Sequence, residues 1–154
     1  MVMVTPKTIV TMRLNGSCAS HSRTDVTVRD LRTTIDEPVE RGGTNQGITP
    51  TETLMASLLA CTNVITHKVA ERNGVHIHSM NVRLEAQFDR RGVQLMGEVD
   101  VPFPSVTLYI DVLTDAEAAA VDKVRRELGM FCPVSKVFRG CGTEVKEVWN
   151  VRAP

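Results

Sequence analysis

The sequence predicts one domain of mixed helix and strand, and three observations support this prediction. A length of 154 residues falls within the usual size of a single domain. A helix-start pattern at residues 49–52 opens a long segment with helical apolar periodicity. Apolar and polar residues alternate over residues 80–88, which is the period of a half-buried strand. We therefore expect a single domain over residues 1–154, with a flexible N-terminus at 1–7.

The N-terminal third predicts two strands followed by a loop. Apolar and polar residues alternate over residues 8–14, and residues 24–35 carry apolar positions among Thr and Arg. The Asn-Gly-Ser triplet at 15–17 is a turn signal, so a hairpin between the two strands is expected. A loop is expected over residues 36–48, because one proline and three glycines interrupt the apolar pattern there.

The first helix has three start signals, namely the Thr49 hydroxyl as N-cap, Pro50 at the first helical position, and Glu52 three residues after the cap. Apolar residues then recur at helical spacings and predict one buried stripe: Leu54, Leu58, Cys61, Ile65 and Val69. The pair at 73–74, Asn-Gly, predicts the helix end. Cys61 is therefore expected in the middle of the helix, on the side that faces the core.

The second half of the chain predicts strands at 80–88, 93–101 and 106–112, arranged as a meander. A second capping box at 114–117 predicts a helix over about 115–128. Pro133 suits the first position of a short helix at 133–138, which would make Cys132 its N-cap. A last strand is expected at 143–150.

Composition excludes several classes of protein. Eighteen basic and eighteen acidic residues cancel, and the charge pattern of a nucleic-acid or anionic-membrane binder is missing. The start of the chain has no secretory signal pattern, and nowhere do eighteen apolar residues follow one another. We expect a soluble cytoplasmic protein with no nucleic-acid or membrane partner. Four scattered cysteines indicate neither a disulfide framework nor a four-thiolate zinc site.

Two of the cysteines are candidates for redox chemistry. A cysteine on the apolar stripe of a helix is usually an inert core residue, and this is the simplest interpretation of Cys61. The N-cap position of Cys132 favours a different interpretation. Unpaired N–H groups and the helix dipole are expected to lower the pKa of its thiol. Two such sites suggest a redox couple.

Three segments resemble the marker regions of the OsmC/Ohr family, which comprises osmotically inducible and organic hydroperoxide resistance proteins, in its OsmC-like branch. They are residues 36–45 (DEPVERGGTN), 49–62 (TPTETLMASLLACT) and 132–136 (CPVSK), in the family's order and at about its spacing. The resemblance implies an α+β fold. Antiparallel sheets would wrap around central helices in an intertwined homodimer, with active sites at the dimer interface.

The resemblance also implies a peroxidase mechanism. Cys61 would attack an organic hydroperoxide, or less well hydrogen peroxide, and become a sulfenic acid. Cys132 would then condense with it to form a disulfide. An external dithiol or a lipoyl-type reductant would restore the pair, so neither a bound cofactor nor a metal is expected.

An arginine and a glutamate are expected to assist the cysteines. Glu52 is the obvious carboxylate, although family peroxidases carry the glutamate one residue earlier, at the position of Thr51. Helical spacing places Glu52 opposite Cys61 and roughly 13 Å along the axis, so only a partner subunit could bring them together. Glu52 could instead serve only as a helix cap. For the arginine, Arg41 and Arg23 remain alternatives.

A second hypothesis is a non-catalytic relative that binds a small apolar ligand or responds to redox state. The displaced glutamate and the unresolved choice of arginine motivate it. Cys18, in a predicted turn, and Cys141, in a Gly-Cys-Gly loop, match no position of the family and are expected to be bystanders.

Overall fold

A computed structural model describes residues 8–154. The expected flexible N-terminus at 1–7 lies outside these residues. The helices and strands are β1 Asn15–Cys18, β2 Thr24–Val28, β3 Leu31–Ile35, a 3-10 turn Val39–Arg41, α1 Pro50–Arg72, β4 Ser79–Ala86, β5 Ser105–Leu113, α2 Ala118–Phe131, α3 Pro133–Gly140 and β6 Glu144–Arg152. The α+β class is thus confirmed. Contacts divide the chain into two compact units with the boundary between Thr53 and Leu54, and the expectation of one domain stays a prediction.

The first unit contains an antiparallel sheet with the order β1-β2-β3. The predicted strand at 8–14 is wrong, and the predicted turn at 15–17 is strand β1. The pairing explains why: Asn15 lies opposite Thr27, and β2 ends one residue later at Val28, so residues before Leu14 extend past the end of their neighbour. Residues 24–35 form two strands instead of one, because the chain reverses at Arg29, which has a φ of 56°.

The loop at 36–48 is confirmed, and the carboxylate of Asp36 organises it. This side chain is fully buried and accepts hydrogen bonds from the N–H of Glu37, the N–H and hydroxyl of Thr44, and the N–H of Gln46, at 2.6 to 3.2 Å. The backbone is close-packed here, since a Cβ on Gly43 would lie 1.8 Å from the carbonyl oxygen of Glu37. The loop is therefore wound tightly around one buried charge.

The second unit contains a sheet with the order β4-β5-β6, in which β4 and β5 are antiparallel and β5 and β6 are parallel. Helices α2 and α3 make the connection between the two parallel strands. One face of β5 is buried, through Val106, Leu108, Ile110 and Val112. These residues pack with Leu58 of α1, Leu128 of α2 and Phe138 of α3 in one apolar core.

The predicted meander is wrong, because residues 93–101 form no strand. Both edges of β5 are already occupied by β4 and β6. In the predicted strand the N–H groups of Gln94, Leu95 and Met96 donate to carbonyls at 90, 92 and 91. These local bonds make turns, so alternating apolar residues did not suffice to make a strand.

Helix α1 begins at Pro50 as predicted and ends before Gly74, which has a φ of 67°. The predicted stripe is confirmed at Leu58 and Val69, and Cys61 and Ile65 are partly buried. Leu54 departs from it, with 40% of its surface exposed. The buried face instead includes two threonines, Thr62 and Thr66. Within residues 8–154, no helix is both long and apolar enough to cross a bilayer.

Helix α2 begins later than predicted, because the second capping box does not form. The hydroxyl of Thr114 donates to the carbonyl of His76 and accepts from the N–H of Ala116, so it caps no helix. The helix starts after Glu117, whose side chain makes no capping hydrogen bond. Helix α3 and strand β6 lie close to the predicted ranges and extend two residues further at their C-terminal ends.

Candidate active site

The second unit brings Cys61 and Cys132 together. The Sγ atoms lie 3.2 Å apart, and the thiol of Cys132 donates a hydrogen bond to Cys61. Both are free thiols, and Cys61 is partly exposed whereas Cys132 is 1% exposed. A disulfide has an S–S length of about 2.05 Å, so closing the bond would need a movement of roughly 1 Å. The pair is therefore already placed for thiol chemistry.

Cys132 owes its position to the junction of two helices. It is the single residue between α2 and α3, and its N–H donates to the carbonyl of Leu128 at 2.9 Å. Pro133 occupies the first position of α3, where a missing N–H does no harm. The predicted N-cap role is confirmed, because Sγ of Cys132 accepts a hydrogen bond from the N–H of Ser135 at 3.4 Å.

The expected low pKa of Cys132 is wrong. Burial raises the pKa of this thiol to about 11, the N–H of Ser135 opposes the rise, and the neighbouring Cys61 adds to it. Loss of water around the sulfur thus outweighs the helix terminus, because the ionised form gains too few hydrogen bonds to replace hydration. Cys132 is a neutral thiol at pH 7. The more exposed sulfur, that of Cys61, is the one that a small oxidant can reach.

The raised pKa of Cys132 predicts the pH dependence of disulfide closure. Once Cys61 is oxidised, closure should accelerate about tenfold per pH unit between pH 7 and 10, because the small thiolate fraction of a thiol below its pKa grows tenfold per unit. Rapid acid quench after one equivalent of alkyl hydroperoxide, followed by alkylation and mass spectrometry, would measure it. A closure rate that stays flat over this range would mean that ionisation of Cys132 does not control the step.

The two sulfurs lie in an apolar environment. Cys132 belongs to the buried core, and Cys61 packs against that core from α1. Three phenylalanines extend this apolar environment. The ring centroid of Phe103 lies 4.8 Å from that of Phe88 and 6.2 Å from that of Phe138. Such surroundings suit an alkyl or aryl group better than a charged one.

Glu52 forms the capping box predicted from the sequence. Its carboxylate accepts from the N–H of Thr49 at 2.8 Å, and its own N–H donates to the Thr49 hydroxyl at 3.2 Å. Hydrogen bonding of the carboxylate to the backbone N–H of Thr49 first, and then to its side chain, lowers the pKa of Glu52; burial opposes this shift, and the charge on Arg41 adds a smaller effect. The capping role is therefore present, and a catalytic role for Glu52 stays a prediction.

The two candidate arginines have different environments within the first unit. Arg23 donates to both carboxylate oxygens of Asp25 at 3.0 Å and to the side chain of Gln46 at 2.8 Å, so all three of its nitrogens are engaged. Arg41 contacts Glu37 through Nε alone, at 2.5 Å. Among residues 8–53, the described part of that unit, the Nη atoms of Arg41 make no hydrogen bond. A catalytic role for either arginine stays a prediction.

The remaining cysteines are both exposed. Cys18 is the last residue of β1, and not part of a turn as predicted, while Cys141 directly follows α3. Among residues 8–154, no three side chains of His, Cys, Asp or Glu come together in an arrangement that could hold a metal ion.

Sequence reasoning missed a polar chain that leads from Cys132 to strand β6. The hydroxyl of Ser135 accepts from Nε of Arg139 at 3.3 Å, and Arg139 forms an ion pair with Glu147 at 3.7 Å. Glu147 also accepts from the indole N–H of Trp149 at 3.1 Å. Two signals pointed to it: Ser135 and Arg139 are four residues apart on one helix, and Glu147 interrupts the apolar face of a strand.

The chain thus has an α+β fold in which two thiols lie 3.2 Å apart, and one of these thiols is the N-cap of a helix that begins with proline. The family model described as OsmC-like protein matches residues 43–147. Because this match spans about two thirds of the sequence, the chain belongs to the OsmC-like family. No curated protein matches the chain.

Solved structures agree with this assignment. The chain is similar to an OsmC-like protein from Mycoplasma pneumoniae, with 14% identity, a TM-score of 0.74, and coverage of 94% of this chain and 97% of that one. It is also similar to an organic hydroperoxide resistance protein OsmC from Legionella pneumophila (18%, TM-score 0.68, 94% and 99% covered) and to the organic hydroperoxide resistance protein OhrB of Bacillus subtilis (21%, 0.59, 92% and 98%). At these identities the likeness concerns the fold.

Proposed function

We propose that this protein is a thiol-dependent peroxidase that reduces organic hydroperoxides, and hydrogen peroxide less well. The observation that carries the proposal is the 3.2 Å separation of a partly exposed Cys61 sulfur and a buried Cys132 sulfur. Membership of a family that includes organic hydroperoxide resistance proteins supports the choice of substrate. The apolar residues around the pair support an alkyl or aryl hydroperoxide.

The reaction divides into three balanced steps. The Cys61 thiolate attacks the distal oxygen of the hydroperoxide, the O–O bond breaks, and the leaving alkoxide takes a proton, which yields a sulfenic acid and an alcohol. The Cys132 sulfur then attacks the sulfenic sulfur, forming the Cys61–Cys132 disulfide and releasing water. An external dithiol or a lipoyl-type reductant supplies two electrons and two protons to regenerate both thiols. No bound cofactor takes part.

The contrast between the two thiols supports their order of reaction. The thiol of Cys132 donates its S–H to Cys61, and Cys61 is the more exposed of the two sulfurs. Cys61 is thereby favoured as the nucleophile. The buried Cys132 is shielded from bulk peroxide and is available only to a sulfur that is already beside it.

A positive charge near the reacting oxygen would assist the first step by stabilising the developing alkoxide. Arg41 is the better candidate of the two arginines, because its Nη atoms make no hydrogen bond to the described residues 8–53, whereas Arg23 is occupied by Asp25 and Gln46. Glu52 would orient that arginine. We further propose that the protein forms the intertwined homodimer that the resemblance implies. We also propose that it is cytoplasmic, where reducing dithiols are present.

The proposal is tested by one dose of oxidant. After one equivalent of an alkyl hydroperoxide, mass spectrometry of the wild-type chain should find Cys61 linked to Cys132 in most molecules. In the Cys132→Ser variant, Cys61 should remain a sulfenic acid that a dimedone-type reagent traps, and excess peroxide should carry it on to a sulfinic acid. Linkage of any other pair of cysteines, or of none, would contradict the proposal.

A non-catalytic relative remains the competing hypothesis, and reaction rate separates the two. A peroxidase should oxidise Cys61 at least about a hundredfold faster than free cysteine reacts under the same conditions, because a positive charge would stabilise the leaving alkoxide. Stopped-flow mixing with the hydroperoxide measures this rate. A rate equal to that of free cysteine would favour the ligand-binding alternative.

A further inference from the structure

We propose that Arg139 is a positioning residue for the resolving thiol: anchored by Glu147, its guanidinium holds Ser135 so that the backbone N–H of Ser135 stays directed at Sγ of Cys132. This inference rests on the proposed peroxidase function, and it adds a residue outside the pair of reacting sulfurs. Arg139 touches neither sulfur, so its action passes through the first turn of α3.

A continuous set of contacts connects the strand to the sulfur. The N–H of Ser135 donates to Sγ of Cys132 at 3.4 Å, an ordinary length for a hydrogen bond to sulfur, which is larger than oxygen. The Ser135 side chain is buried and accepts from Nε of Arg139 at 3.3 Å. Nη2 of the same guanidinium lies 3.7 Å from Oε1 of Glu147 on β6. Arg139 thus connects Ser135 of α3 to Glu147 of the sheet.

Glu147, on strand β6, holds the end of this set of contacts that lies farthest from Cys132. It alternates with buried Val145 on the face of β6 that the helices cover, and its side chain is only 15% exposed. A carboxylate in such a place is unfavourable unless it is paired and hydrogen-bonded. Its partners are Arg139 and the indole N–H of Trp149, 3.1 Å from Oε2. Packing of Trp149 against the core therefore sets where Glu147, and then Arg139, can lie.

The N–H of Ser135 matters because burial disfavours the ionised form of Cys132. That N–H lowers the pKa of the thiol and so counteracts the effect of burial. Closure requires the Cys132 sulfur to lose its proton, bond to the Cys61 sulfur and release water. A second hydroperoxide competes for the same sulfenic acid and converts it to a sulfinic acid. Any loosening of the turn should slow closure and so favour the second oxidation.

The test measures how the sulfenic acid partitions. With excess alkyl hydroperoxide in the presence of a dithiol, Arg139→Met should raise the fraction of sulfinic acid formed per turnover about tenfold, with little change in the rate at which Cys61 is first oxidised. Methionine keeps the apolar stem of arginine. The matched control is Lys136→Met, which removes one positive charge from an exposed position of the same helix and should behave as wild type.

Two further variants separate positioning from simple loss of stability. Glu147→Gln keeps an acceptor for Trp149 but weakens the anchor of Arg139, so it should shift the partition in the same direction and less strongly. Arg139→Lys should recover part of the wild-type partition. Thermal unfolding of every variant must lie well above the assay temperature. An Arg139→Met variant that is folded and partitions as wild type would overturn the inference.

The outcome for the wild-type chain distinguishes this inference from the proposed function. If the wild-type chain forms no Cys61–Cys132 disulfide, the peroxidase proposal fails and the role proposed for Arg139 fails with it. If wild type forms the disulfide and Arg139→Met and Lys136→Met give equal sulfinic fractions, the peroxidase proposal stands and only the role of Arg139 fails.

Discussion

Replacing Cys61 by serine should abolish turnover of an organic hydroperoxide, lowering the rate about a thousandfold or more. A serine hydroxyl is not ionised near neutral pH and cannot form the sulfenic acid on which the cycle depends. The side chain is nearly isosteric and Cys61 is only partly buried, so the fold should persist. A coupled assay of hydroperoxide consumption with a dithiol as reductant would measure the loss.

The matched controls are Cys18→Ser and Cys141→Ser, which make the same chemical change at exposed sulfurs. Both should keep at least about half of the wild-type rate, because surface substitutions away from the reacting groups have small effects. If Cys61→Ser retained wild-type turnover, the site would have been assigned to the wrong sulfur. Loss of activity in Cys141→Ser would point to a role for that thiol.

Replacing Asp36 by alanine should cause the largest loss of stability among single substitutions in the first unit. The change leaves the N–H groups of Glu37, Thr44 and Gln46 without their acceptor in a place that water does not reach. We expect the midpoint of thermal unfolding to fall by on the order of 10 °C, measured by circular dichroism. Asp100→Ala, at an exposed position, is the control and should leave the midpoint within about 2 °C.

The lowered pKa of Asp36 predicts that the stability of the fold falls at acid pH. Hydrogen bonds from Thr44 first, opposed by burial and aided by the N–H groups of Gln46, Thr44 and Glu37, lower the pKa of Asp36 from 3.8 to about 2. A carboxyl with a lowered pKa stabilises the fold above pH 3.8, and this contribution is lost as the pH falls through 2. Denaturant titrations of Asp36→Asn should show a weaker pH dependence between pH 4 and 2. An identical dependence in variant and wild type would contradict the assignment.

Local signals in the sequence predicted those elements that a helix cap or a regular apolar repeat marks within the element itself. The box of Thr49 and Glu52 predicted the start of α1, and Pro133 predicted α3 with Cys132 at its cap. Alternation predicted β4 and β5, which pair with each other over eight residues. In each case the groups that fix the element lie within a few residues of one another or repeat along one strand.

Signals of the same kind failed where distant groups compete. The strand at 93–101 has the right alternation, but β4 and β6 already occupy both edges of β5. Thr114 has the right spacing for a capping box, but its hydroxyl bonds to the carbonyl of His76, 38 positions away. The parallel pairing of β5 with β6 likewise depends on residues that are far apart in the chain.

For the candidate site, the local sequence was sufficient to single out Cys61 and Cys132 and to place one in a long helix and the other at the start of a short one. Only the packing of the second unit decided that their sulfurs lie 3.2 Å apart and that the pKa of Cys132 is raised. The physical reason is that a helix cap acts within one turn of backbone, whereas desolvation depends on every group that surrounds the sulfur. The contacts that run from Ser135 through Arg139 to Glu147 also depend on the tertiary structure, because they join α3 to β6.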